Sequence, residues 1–164
     1  MRLALFALLS AVLFLSSVCP AQKAQGNVRD IYESGISLDL GGVVFGGASF
    51  DTYISNKLNL ELSLGVIFGA GLNYHFIGDD PDTRWSPYIG VHGGLIPDLE
   101  LNLFGDDSDE PTVRPNVYLP AGVHYISGSG FSLALELGYM HAFENDDANS
   151  FDIPWFGCKI GFRL

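Results

Sequence analysis

The chain has 164 residues, enough for one domain and too few to argue for two. Its 20 glycines, 12 phenylalanines and 7 tyrosines, with only 16% of residues charged, describe a turn-rich aromatic chain rather than a helical one, so an all-β fold is expected. A formal net charge of −11 with 8 scattered Lys and Arg argues against nucleic acid as a partner, because phosphate binding needs clustered cations.

Residues 1–21, MRLALFALLSAVLFLSSVCPA, carry one basic residue, an apolar core and small residues up to Ala21. That is the shape of a secretory signal peptide for Sec-type export, with cleavage between Ala21 and Gln22. Lipidation at Cys19 is disfavoured by the approach Ser16, Ser17, Val18, and a retained anchor by an apolar run shorter than the ~20 residues of a spanning helix. Removing the segment takes away Arg2 and no acid, leaving a more acidic mature chain with Cys158 alone, so neither an intramolecular disulfide nor a Cys metal cluster is expected. Residues 22–34 then read as a periplasmic lead-in to a barrel over 35–164.

Alternation begins at Ile36, with Leu38, Leu40 and Val44 on one parity against Ser37 and Asp39, predicting a first strand over 35–45. Gly46 and Gly47 suit a tight reversal, since glycine accepts positive φ, and a second strand over 48–55 ends at an Asn56-Lys57 turn. From Leu58 to Phe76 every even position is apolar. One strand of that length would run roughly 60 Å, so the run must fold back; glycines in GVIFGAG place a reversal there, giving strands over 58–66 and 69–77. A bent, continuous strand of a soluble barrel is the competing reading. GDDPDTRWSP, 78–87, reads as a turn, and YIGVHGGLI as a fifth strand with Ile89, Val91 and Leu95 on one face. After an irregular acidic stretch between Pro97 and Pro115, a sixth strand over 116–126 sets Val117, Leu119, Ala121, Val123 and Tyr125 on one side. SGSG turns it into a seventh, 131–143, with Leu133, Leu135, Leu137 and Tyr139 opposite Ser132, Ala134 and Glu136. Past ENDDANS, an eighth strand runs to the last residue.

Eight is the smallest even number of strands that closes a membrane barrel, and closure is required because an open edge cannot hydrogen-bond to lipid. The expectation is therefore an all-β, eight-stranded antiparallel up-and-down transmembrane β-barrel. With both termini periplasmic, the 56–57, 78–85 and 127–130 turns share that side and the longer acidic loops, 98–114 and 144–150, face outward.

The ending PWFGCKIGFRL puts Phe156, Cys158, Ile160, Phe162 and Leu164 on one parity. Such a terminal strand resembles the one by which barrel-assembly machinery recognises outer-membrane proteins, with Leu164 where an aromatic is more usual. ISNKLNLELSLG, WSPYIGVHGG and AGVHYISGSGFSLALELGYMHAF likewise resemble phrases of the small outer-membrane β-barrel superfamily containing the OmpA transmembrane domain, OmpX and OmpW. The resemblance spans 35–164 and implies a monomer in the outer membrane, in contact with lipid and lipopolysaccharide. That superfamily includes anchors, adhesion or defence proteins and small-solute channels.

By parity, Asp39, Glu61, Asn73, His75, His92, His124, Glu136, Lys159 and Arg163 face the interior. They could form a proton-linked gate or narrow polar path, but an eight-stranded barrel is barely wide enough for its own side chains, so a filled interior with pairs such as Glu136 and Lys159 is the expectation. Small barrels of this size include lipid A deacylases, and His141 is the one histidine of outward parity; with no His-x-Ser arrangement beside it, it reads as part of an interfacial aromatic belt and no enzyme is expected. DDSDE, 106–110, lacks the Gly and Glu of an EF-hand loop, so no metal or cofactor is expected, and Cys158 reads as a small lipid-facing hydrophobe. The alternative from another class is a soluble lipocalin-like carrier with the faces reversed, the apolar residues lining a ligand cavity. A narrow small-solute channel is the third reading.

Overall fold

The computed structural model describes residues 27–77, 83–97, 113–143 and 151–164; the expected signal peptide and the acidic segments 98–112 and 144–150 lie outside them. Eight antiparallel strands form one closed barrel in sequence order: β1 (Ser34–Gly41), β2 (Gly46–Ser55), β3 (Leu58–Gly65), β4 (Phe68–His75), β5 (Trp85–Pro97), β6 (Val113–Ile126), β7 (Phe131–Ala142) and β8 (Phe151–Arg163). β8 returns to pair with β1, and the ladder continues to the final residue, where Leu164 N–H donates to the Ser34 carbonyl at 2.7 Å. No sheet edge is left open.

The faces are apolar out and polar in. Leu38, Leu62, Leu72, Ile89 and Leu135 are exposed on the outer surface, while their neighbours Asp39, Glu61, Asn73, Tyr88 and Glu136 are buried inside. The reversed, lipocalin-like orientation is therefore not the one this chain adopts.

The long alternating run does split, at Val66 and Ile67. Leu64 pairs with Phe68 and Leu58 with Tyr74, so partners always share parity. An even-numbered outer face thus passes through the reversal unbroken, which is why two strands look like one in the sequence.

Three boundaries differ from expectation. The first reversal lies at a 3-10 turn, Gly42–Val44, and Gly46 and Gly47 already belong to β2. Gly41, Gly42 and Phe45 have φ of 84°, 64° and 59°, and these left-handed positions turn the segment back into the barrel, burying Val43 and Val44 instead of leaving Val44 on the outer face. Second, β5 starts at Trp85 rather than after Pro87. Pro87 accepts from the Phe76 N–H at 2.8 Å and has no N–H to return; β4 ends at His75, so the missing bond falls just past the ladder. Third, β6 begins at Val113, with Pro115 accepting from Phe143 N–H at 2.9 Å.

Large interior side chains need space opposite them. The Tyr118 ring lies over Gly138, where a Cβ would overlap it. We expect Gly138→Ala to destabilise the barrel by about 1–3 kcal/mol in a urea titration, because Tyr118 has no room to retreat. An unchanged midpoint would contradict that packing.

Candidate functional site

The interior is a stack of side chains, layered from the mouth that carries the short 56–57 and 127–130 turns, the start of β1 and the end of β8. That mouth is crossed by residues 27–33, which contain a four-residue helix, α1 (Val28–Ile31), whose Asn27 cap accepts from Arg29 N at 3.1 Å. Arg29 is wholly buried: Nη1 donates to the Thr83 carbonyl at 3.1 Å and Nη2 to Ser86 Oγ at 2.6 Å, on the β5 side of the mouth. Tyr32 Oη donates to the Gly128 carbonyl at 2.8 Å, and Val28 packs with Tyr53 and Ile126. Residues 27–33 of the lead-in are therefore part of the barrel filling, where the sequence suggested a segment preceding it.

Arg163 fastens this segment from β8. Its Nε donates to the Tyr32 carbonyl at 2.9 Å and Nη2 to the Glu33 carbonyl at 3.0 Å, Nη1 pairs with Asp51, and the guanidinium lies 4.4 Å from the Tyr53 ring centre. Asn59 completes the Asp51 carboxylate at 2.6 Å. The next layer holds two of the three interior histidines. Tyr53 Oη lies 3.3 Å from His75 Nε2 and 3.2 Å from His124 Nδ1, and His75 Nδ1 lies 2.8 Å from Ser86 Oγ.

The middle layer carries the charge. Lys159 Nζ donates to Glu61 Oε1 at 2.6 Å and stands 3.6 Å from Glu136 Oε2. The expected Glu136–Lys159 pair exists, but Lys159 reaches across from β8 to sit closer to Glu61 on β3, while Glu136 takes the Tyr88 hydroxyl at 2.5 Å. Ser63 donates to Glu61 at 3.0 Å and Asn73 Nδ2 at 3.2 Å; the Asn73 oxygen is left for His92 Nε2 at 2.9 Å. Asp39 accepts from Ser49 at 3.0 Å. A void of about 20 Å³ between Ser49, Asp51, Glu61, His75, Tyr88 and Lys159 has room for one water and nothing larger.

At the opposite end the stack turns apolar. Val43 and Val44, folded in by the 3-10 turn, pack on Tyr118 and Met140, with Phe45, Ile153 and Trp155 around them. All nine residues assigned to the interior by parity face inward, His124 being only partly buried. Parity reasoning missed Arg29, Asp51, Tyr53, Tyr88, Tyr118 and Met140. For the tyrosines the signal was available, since each shares a parity with a neighbouring acid or imidazole; for Arg29, outside any strand, there was none.

Outside, aromatic residues gather at both rims: Trp85 against Tyr125 (4.8 Å) and Phe131 against Phe162 (5.7 Å) at the short-turn end, His141 against Phe143 (4.5 Å) at the other. His141 Nδ1 lies 2.6 Å from Asp152 Oδ1 across the β7–β8 ladder. Among the described residues no Ser, Thr or Cys bonds to this imidazole. Phe156, Ile160, Phe162 and Leu164 all lie on the outer parity of β8, and Cys158 sits between them.

Fold and filling together define the class: a closed, eight-stranded, up-and-down barrel with an apolar exterior and a packed polar centre. The crystal structure of the N-terminal β-barrel domain of Pseudomonas aeruginosa OprF has this fold, superposing with a TM-score of 0.53 at 17% identity over 85% of this chain and 100% of that one. The resemblance read from the sequence is met at the level of fold. No protein-family model and no curated relative matches the sequence.

Proposed function

We propose that this chain is a bacterial outer-membrane β-barrel whose role is structural or surface-interacting and whose interior does not conduct. One observation carries the reading: a closed barrel turns leucines, isoleucines and phenylalanines outward all round while acids, histidines and basic residues fill its axis. In water that arrangement exposes an apolar surface far larger than soluble proteins carry; in a bilayer it is the minimum-energy sidedness, with ladder closure satisfying the backbone. Among the described residues no helix is long and apolar enough to cross a membrane. The aromatic rims match the interfacial girdles of such barrels.

In this reading the chain is exported by the Sec route, contacts lipid and lipopolysaccharide as a monomer, and is recognised by assembly machinery through Phe156, Ile160, Phe162 and Leu164. On the same reading the His141–Asp152 pair belongs to the aromatic rim and has no catalytic role. The short-turn mouth then faces the periplasm. Fractionation should recover the protein in the outer membrane, and boiling should change its migration in detergent gels; solubility in detergent-free buffer would refute the assignment. Pure folded protein in a planar bilayer should give no reproducible current, because Lys159, Glu61 and Glu136 occupy the axis and Val43 and Val44 close one end. Steady single-channel steps would overturn the filled interior.

A further inference from the structure

The segment 27–33 is the least self-sufficient part of the filling. A four-residue helix is far below the length that holds itself, so its position depends on what grips it: the Arg29 bonds, the Tyr32 hydroxyl and the two Arg163 donors. One of those grips runs into a relay of shared protons. One assignment of the protons satisfies all four contacts: Ser86 Oγ accepts from Arg29 and gives its own proton to His75 Nδ1. His75 then carries its proton on Nε2 and donates to Tyr53 Oη, and the Tyr53 hydroxyl donates to His124 Nδ1. In this arrangement each of the four contacts pairs one donor with one acceptor, and both imidazoles are neutral.

Protonating either ring breaks the arrangement. A charged His75 donates at both nitrogens, so Ser86 faces two N–H donors and its own proton has no acceptor; a charged His124 does the same to Tyr53. The charge also arrives among cations. Around the two rings stand Arg29 from the lead-in, Asp51 and Tyr53 from β2, Glu61 from β3, Ser86 and Tyr88 from β5, and Lys159 and Arg163 from β8, with Glu136 of β7 behind the Tyr88 hydroxyl; the rings themselves, on β4 and β6, are 5.6 Å apart. The carboxylates are already engaged: Asp51 with Arg163 and Asn59, Glu61 with Lys159, Asn73 and Ser63, Glu136 with Lys159 and Tyr88. Arg29, Arg163 and Lys159 are the cations a new imidazolium repels, and the two arginines also hold residues 27–33 in place.

We propose that residues 27–33 form an acid-released plug of the short-turn mouth, with His75 and His124 as the trigger and Arg29 as the latch. Protonation of the pair ejects the plug and opens the polar well beneath it to water, while the apolar cap of Val43 and Val44 keeps the other end shut, so opening exposes a pocket without creating a pore.

Deuterium uptake of the full mature chain, folded in detergent and checked by its heat-modifiable migration, tests this directly. With rates corrected for the intrinsic effect of pH, the 27–33 backbone should exchange at least about tenfold faster near pH 4.5 than near pH 7.5, bracketing the ordinary imidazole range, while β6 and β7 stay equally protected. Arg29→Gln should exchange fast at both pH values, and His75→Gln/His124→Gln should remove the pH difference. Equal protection of the wild-type segment at the two pH values overturns the plug, and an acid response that persists without the two imidazoles overturns the trigger. Should the double variant fail to fold, the wild-type comparison and either single variant, in which the response must shrink, still decide.

Discussion

Lys159→Met should cost the folded barrel about 3–5 kcal/mol, read as a fall in the urea midpoint. Among the described residues Lys159 is the one cation paired with both Glu61 and Glu136, so its removal leaves two buried carboxylates without that counter-charge in a space too small to hydrate them. The residue also joins β8 to β3 across the axis, and no neighbouring cation is placed to substitute: Arg163 is committed to Asp51 and the lead-in carbonyls. The companion variant Lys159→Met/Glu61→Gln/Glu136→Gln should recover most of the loss, because neutral amides of the same shape remove the uncompensated charge. A Lys159→Met protein as stable as wild type would mean that the middle layer is not held by charge.

Leu72→Arg should destabilise the barrel by about 2–4 kcal/mol in a lipid bilayer, whereas Leu64→Arg, beside the 66–67 turn, should cost about 0–1 kcal/mol. Both leucines are exposed on the outer surface, and in water an exposed leucine tolerates arginine with little change at either site. Leu72 lies mid-strand between Leu60 and Val91, where a guanidinium is furthest from either interface; at Leu64 it reaches the headgroups. The difference between the two costs therefore measures depth in hydrocarbon. Equal, small costs would argue that no bilayer surrounds the strands.

Much of this was readable in the sequence because alternation is an averaged signal. β7 carries Leu133, Leu135 and Leu137 against Ser132, Ala134 and Glu136, and each took the face its parity gave it. The pairing of Leu64 with Phe68 preserved parity through a turn, so the faces were legible even where the turn was only approximate. What parity cannot carry is a residue that leaves the strand. Val44 has outward parity and lies inside, because Gly41 and Gly42 bend the chain before it. Arg29 has no alternation around it, and its burial depends on carbonyls of residues 83 and 84, more than fifty positions away. Register decided the rest: the nine interior residues were identifiable singly, but that Lys159 prefers Glu61 to Glu136 follows from how eight strands stagger around an axis.

The grip of Arg163 on Tyr32, Glu33 and Asp51 sets a timetable for biogenesis. Arg163 stands on the eighth strand, so it is synthesised and exported after the other seven, yet it secures a segment that precedes the first. Until β8 arrives, the seam between first and last ribbons is open and the segment before β1 has only the grips of Arg29 and Tyr32, so closing the barrel and clamping that segment are one late event.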